Sequence, residues 1–249
     1  MEIIKSKKIF RWILIIDNIN NYLTMDLFGG PKIIKMSWVI NLHKGLTLFF
    51  VLMLMSLFNN FSMVSCVYLA LHGSYGFIWV MKHFAFRDKK WESKTTFSGA
   101  LFIFIFLSTY WVAPFILISG VLRNYPLEIS VQLITISIIV YAIGIAIMIA
   151  SDCQKNITLK LKKGLITDGM FRYIRHPNYL GEMMIYSSFA LLVGHWIPWA
   201  ILAVWWIMVF FVNMMMIESS IARFPDWEEY KGRTGMIIPW KIIKKRGRV

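Results

Sequence analysis

The chain has 249 residues, of which 58% are hydrophobic and 16% charged. Soluble domains carry about 25% charged residues, and the apolar runs here are too many and too long for a soluble core; a soluble dinucleotide-binding fold is excluded for want of alternating strands. The net charge of +14 lies between apolar runs, which assigns it to membrane topology and anionic lipid headgroups, not to nucleic acid.

Residues 1–35 read as a basic, partly amphipathic segment at the membrane interface, with no signal-peptide cleavage pattern. A bilayer-spanning helix needs about 20 mostly apolar residues. Such runs fall near 37–58, 61–81, 98–121 and 129–150. The run 180–217 is about twice that length and breaks at Gly194-His-Trp-Ile-Pro198, which predicts a helical hairpin. The expected fold is all-α: a polytopic integral membrane protein of about six transmembrane helices with a cytosolic C-terminal cofactor-binding region. Residues 36–150 form a four-helix part enclosing a substrate cavity, and residues 151–249 form a C-terminal domain of hairpin and cytosolic tail. With Lys44 counted in the N-terminal segment, every Lys and Arg except Arg123 falls on one side of this arrangement. Both termini are therefore expected in the cytosol. The run Lys244-Lys-Arg-Gly-Arg248 beside a span is read the same way.

In the second span, His72, Tyr75 and Trp79 share one helix face, and Gly73 and Gly76 permit close helix approach. Two readings stand: helix packing with interfacial aromatics, or a His72 or Tyr75 that faces a lipid-substrate cavity and donates a proton. The five histidines are scattered, and no Cys/His spacing suggests a metal site. No phosphate-binding glycine loop or nucleophile elbow is present.

The densest polar cluster follows the fourth span. Asp168-Gly-Met-Phe-Arg-Tyr-Ile-Arg-His-Pro-Asn-Tyr-Leu-Gly-Glu182 places six ionisable or amide side chains directly before an apolar run. Polar groups at a membrane boundary are costly unless partnered or used. Pro177 is expected to open the fifth helix. Its N-terminus, among Arg172, Arg175 and nearby lysines, suits an anion. Asn178 and Glu182 lie four apart on one face, where an amide or a ribose can be hydrogen-bonded. The tail after Glu218 returns to the same side. It reads either as a lid, with Tyr230 and Arg233 as second-wall contacts for a nucleotide, or as an amphipathic helix resting on lipid.

These residues carry a resemblance. Ser151-Asp-x-Gln-Lys, the Asp168–Glu182 stretch, Glu229-Tyr-Lys-x-Arg-Thr234 and Ile-Pro-Trp240 resemble the steroid 5-alpha-reductase C-terminal domain family, in particular its DUF1295 branch. The resemblance covers about the last hundred residues well and the first 150 in topology alone. Its Arg-His-Pro-x-Tyr-x-Gly core is also similar to sterol reductases and to isoprenylcysteine carboxyl methyltransferases. It implies that Asp152, Arg172, Tyr173, Arg175, His176, Asn178, Tyr179 and Glu182 line a cofactor site closed by Tyr230 and Arg233. Asp152 would contact the adenosine part of NADPH. Where the steroid reductases resemble His-Tyr-x-x-Arg, this chain has Ile78-Trp79-x-x-Lys82, with Tyr75 one turn away.

The expected activity is an NADPH-dependent oxidoreductase of lipid metabolism that saturates a carbon–carbon double bond in a lipophilic substrate. Glu182 orients the cofactor and Tyr75 or His72 acts as proton donor. By the resemblance, the acid at position 182 favours reduction, since the similar methyltransferases usually lack it. The alternative is an S-adenosylmethionine-dependent membrane methyltransferase, whose usual Glu-Glu pair at the start of the tail is Glu218-Ser219 here. The resemblance implies the endoplasmic reticulum in a eukaryotic cell, with membrane lipids as partners.

Overall fold

The computed structural model describes residues 10–122 and 129–239. Arg123, Trp240, the Lys244–Arg248 run and residues 1–9 of the N-terminal segment lie outside the described residues.

The fold of the described residues is nearly all-α. In chain order the helices are α1 (Arg11–Asn21), α2 (Met36–Leu57), α3 (Met63–Ala85), α4 (Phe97–Ser108), α5 (Val112–Ser119), α6 (Val131–Leu161), α7 (Pro177–Val193), α8 (Trp196–Trp205), α9 (Val212–Ile221) and α10 (Trp227–Arg233). A single 3₁₀ turn, Thr109–Trp111, carries α4 into α5 without a break in the span, and a π-helical turn, Trp206–Phe211, does the same between α8 and α9. Among the described residues, five segments are long and apolar enough to cross a bilayer: α2, α3, α4–α5, α6 and α8–α9. The apolar helix α7, with 17 residues, is marginally shorter. The protein is a multi-pass integral membrane protein. Less than half of each spanning segment is buried within the protein, and side chains such as Phe49, Phe77 and Ile105 point outward, as a lipid-facing surface requires.

Local signals set the helix ends. Pro177 is the first residue of α7, where its missing N–H costs nothing. The hairpin break falls between Val193 and Trp196, with Gly194 at φ +62°. Ser62 and Thr96 cap α3 and α4 by accepting from the backbone N–H three residues on. The helix of the fourth span continues to Leu161, past the apolar run that ends near 150. Its 31 residues measure about 46 Å at 1.5 Å per residue, longer than the roughly 30 Å hydrocarbon core. Lys155 and Lys160 lie in the part of the helix past the apolar stretch.

The chain divides into two compact units. The bundle unit takes in Asn18–Ala142 and Ile185–Val204. Here α2 packs along α3 and against α4 and α5. Gly76 of α3 lies so close to the Lys44 carbonyl of α2 that a β-carbon would collide with it. A short antiparallel pair, β1 (Ile34–Lys35) with β2 (Lys94–Thr95), ties the loop after α3 to the start of α2. The tail unit takes in the chain up to Asp17, Ile143–Met184 and the chain from Trp205 on. In it, Gly181 of α7 faces α6: a β-carbon there would lie 2.6 Å from the Met148 nitrogen and 2.7 Å from the Gly144 carbonyl oxygen.

Candidate functional site

In the tail unit the loop from Asp168 to His176 is braced from three directions. From α6, the Gln154 amide donates to the Asp168 carbonyl at 3.1 Å and accepts from the Met170 N–H at 2.8 Å. From α10, the Tyr230 hydroxyl donates to the Phe171 carbonyl at 2.7 Å. The strand-like stretch after α10 then pairs with the loop. Gly235 N–H donates to Tyr173, Arg175 N–H to Gly235, and His176 N–H to Met236, at 2.9–3.1 Å. These bonds satisfy loop backbone that would otherwise be unpaired.

The brace closes on a buried ion pair. Arg175 donates from Nε to Glu218 of α9 at 2.6 Å and from Nη1 to the Thr234 carbonyl at 2.7 Å. The two charged side chains are 7% and 2% exposed. The guanidinium also lies 5.8 Å from the centre of the Trp227 ring. Arg175 is thus committed to holding the loop, α9 and the tail together. His176, equally buried, has Nε2 3.6 Å from the same Glu218 oxygen, beyond hydrogen-bond reach. Burial holds the His176 pKa below its ordinary 6.5, against the raising effect of Glu218. Burial likewise pushes the Tyr230 phenol up to about 12.

The other residues expected in the site occupy different settings. Arg172 and Tyr173 are exposed at the loop surface. Arg233 is exposed too, over the Tyr230 ring at 5.5 Å, with Nη2 3.4 Å from the Thr167 carbonyl. Asp152 on α6, and Asn178, Tyr179 and Glu182 in the first turns of α7, are half-buried. The Tyr179 ring packs edge-on to Phe210. The arginines therefore differ in role, since Arg172 and Arg233 present charge outward and Arg175 is internal. Among the described residues no group of three His, Cys, Asp or Glu side chains is arranged to hold a metal.

The bundle unit holds a second polar centre, built around Lys44. The charge tally places this lysine with the N-terminal segment, but it sits in the third turn of α2 and is 3% exposed. A lysine at the centre of a span costs about 2.5–3.5 kcal/mol on insertion scales. Here Nζ donates to the Tyr186 hydroxyl, and Tyr75 donates to the same oxygen at 3.3 Å. The ammonium lies 4.7–5.3 Å from the ring centres of Tyr75, Tyr186, Tyr110 and Trp79, a distance at which ring quadrupoles attract a cation. Gly76 makes this possible, because close approach of α3 brings Tyr75 and Trp79 to the lysine. His72, expected either at the interface or in a cavity, is buried, stacks on Phe189 at 4.3 Å, and shares a 3.1 Å hydrogen bond between Nδ1 and the Tyr68 hydroxyl. His72 and Tyr75 are both interior side chains, while Trp79 is half-buried.

The family described as "Protein of unknown function (DUF1295)" matches residues 12–234. The chain belongs to the DUF1295 family. An uncharacterized protein of Schizosaccharomyces pombe is 39% identical over 89 residues, which are 33% of this chain and 29% of that protein. The chain thus covers less than a third of that relative's length. No solved structure matches the chain.

Reading the sequence alone leaves out Lys44, Tyr186, Tyr68 and Tyr110. A lysine eight residues inside an apolar run was the available signal for the first. The tyrosines carry no such mark. Glu218 was singled out for a missing neighbour, not for the ion pair it forms.

Proposed function

We propose that this DUF1295 protein is a membrane-embedded reductase that uses NADPH to saturate a carbon–carbon double bond in a lipid or steroid-like substrate. The observation that carries the reading is the buried group of Lys44, Tyr75 and Tyr186. Saturation requires a hydride and a proton, and inside a bilayer the proton has to come from a protein group. Methyl transfer has no such need.

In the tail unit the donor set fits a phosphate-bearing dinucleotide. Two exposed arginines flank a braced loop that leads into a helix N-terminus, and an amide and a carboxylate stand one turn apart behind it. Arg172 and Arg233 bind phosphate oxygens. Asp152, Tyr173 and Tyr179 border the adenosine part, and Asn178 and Glu182 orient the nicotinamide amide. Arg175, through Glu218, His176, through its backbone N–H to Met236, and Tyr230, through Phe171, keep the loop in shape. The bound reduced nicotinamide supplies the hydride. In the bundle unit Tyr186 gives a proton from its hydroxyl, Lys44 Nζ stabilises the negative charge left on that oxygen, and Tyr75 or His72 helps restore it. The similarity of the Asp168–Glu182 stretch to the steroid 5-alpha-reductase C-terminal domain supports the same assignment. On this reading both termini face the cytosol, and in a eukaryotic cell the membrane is that of the endoplasmic reticulum.

The test is a binding comparison on the full chain in detergent, with NADPH and S-adenosylmethionine titrated separately. NADPH is expected to bind and S-adenosylmethionine not. Arg172→Ala is expected to weaken NADPH about 10–100-fold, the equivalent of one hydrogen bond to a charged group. Selective S-adenosylmethionine binding would replace reduction by methyl transfer, and binding of neither would remove the enzyme reading.

A further inference from the structure

On the outer wall of the bundle unit, Phe50 of α2 and Ser108, Trp111, Val112 and Phe115 of the α4–α5 span line an open groove of about 230 Å³. Both segments are long and apolar enough to cross a bilayer, so what meets the groove from outside is lipid. Its wall is aromatic and aliphatic apart from Ser108, whose hydroxyl donates to the Phe104 carbonyl at 2.9 Å. Such a lining suits a hydrocarbon chain or ring.

One ring separates this groove from a buried imidazole. Trp111 stacks on Phe50 at 4.2 Å and on His43 at 4.4 Å, with both ring pairs close to parallel. His43 and Phe50 stand two turns apart on α2, about 10 Å along its axis, too far apart to share one face of an indole. Trp111 is therefore sandwiched, with Phe50 on the groove side and His43 on the inner side. His43 is 1% exposed, and neither Nδ1 nor Nε2 has a hydrogen-bond partner. Phe104 stands edge-on to its ring at 5.5 Å. A buried polar group left unpaired costs stability, and inside a membrane span it marks a functional site by default. Trp111 is also placed to turn. Its one N–H donates to the Thr47 hydroxyl at 2.9 Å. It ends the 3₁₀ turn that interrupts the α4–α5 span, just before Pro114. A turn of this kind inside a helix often marks a hinge, and proline has no N–H to give the helix.

We propose that the groove is a binding site for a neutral, hydroxyl-bearing lipid. The apolar part lies against Phe50, Val112 and Phe115. Trp111 turns aside, and the hydroxyl reaches the imidazole of His43. A neutral imidazole has one N–H and one lone pair, and a hydroxyl can meet either. A charged headgroup would find no opposite charge among the side chains that line the groove. The site itself stands on this geometry. That its occupant is the substrate rests on the reductase reading above.

The experiment is photolabelling of the full chain in detergent with two probes, dodecanol and dodecane, each carrying a diazirine at mid-chain. Mass spectrometry of the peptides locates the label. Dodecanol is expected to label Phe50, Ser108, Val112 or Phe115 at least several-fold more than dodecane does, and His43→Leu is expected to remove that excess. Phe49 and Ile105, which point outward, should take both probes equally. Equal labelling of the groove by the two probes, or an excess that survives in His43→Leu, overturns the proposal. His43→Leu leaves no unpaired donor or acceptor behind, so it should melt no lower than the wild type. Should it fail to fold, competition in the wild type decides: unlabelled dodecanol suppresses the groove label if the site exists, and a label that does not compete overturns it. Trp111→Ala should take up dodecanol label several-fold faster, and an unchanged rate overturns the role of the ring as a gate. A dodecanol excess in a protein that does not bind NADPH sustains the lipid site and removes the reductase reading. NADPH binding with equal labelling does the reverse.

Discussion

Glu218→Ala takes the carboxylate away from Arg175 and leaves the guanidinium buried at 7% exposure, with the Thr234 carbonyl as its remaining short acceptor. Breaking a buried pair by removing one partner costs about 3–5 kcal/mol, because the surviving charge is uncompensated. That is a large part of the roughly 5–15 kcal/mol by which domains are stable. At about 2–4 °C per kcal/mol for a chain of this size, the unfolding midpoint in detergent should fall by about 6–20 °C. Removing both charges together, in Arg175→Met with Glu218→Leu, should recover most of the loss, since apolar side chains replace such pairs at little cost. Differential scanning fluorimetry on purified protein measures both. A single variant within about 2 °C of the wild type, or a double variant no better than the single, would refute the reading of Arg175 as an internal clamp. Arg172→Ala is the contrast: that exposed side chain should leave the midpoint unchanged while weakening NADPH.

Three further outcomes follow from the same geometry. Tyr230→Phe leaves the Phe171 carbonyl without its 2.7 Å donor, which should cost about 1–2 kcal/mol and weaken NADPH through the loosened loop; thermal melts and titration check both. Gly181→Val drives a side chain into the α6 backbone at Gly144 and Met148, where neither partner can yield, so folded yield by size-exclusion chromatography should collapse, whereas substitution at the unobstructed Gly232 should not matter. The pH dependence follows from His176. Its folded pKa is depressed, so the unfolded chain takes up the proton first as pH falls below about 6.5. Stability is then lost from that point down to the depressed value, with Glu218, Arg175 and Lys155 as the charges that set it. The midpoint should drop between pH 7 and 5 in the wild type, and less so in His176→Asn; parallel curves would rule His176 out.

The membrane fold was legible because each of its signals is local. A run of apolar residues long enough to cross a bilayer is set by composition, and Pro177 and Gly194 mark helix ends through their own backbone preferences. The end of the helix of the fourth span was not legible because helix and apolarity do not end together: α6 runs on to Leu161, past the apolar run that closes near 150. The Asp168–Glu182 stretch was conspicuous for its density of polar groups, but density does not say which of them is a strut and which a binding group. Arg172 and Arg175 are three apart and look alike in sequence, yet one is exposed and the other is buried against Glu218.

What the sequence by itself determined is the membrane class, the approximate spans and the position of the polar loop, all functions of neighbouring residues. Tertiary structure alone decided the partners. Lys44 meets Tyr186 across 142 positions, and Arg175 meets Glu218 across 43. Such pairings depend on how helices approach, down to the absent β-carbons of Gly76 and Gly181. In an apolar bundle a charge is tolerated only where packing delivers its partner, and that delivery is a property of the fold.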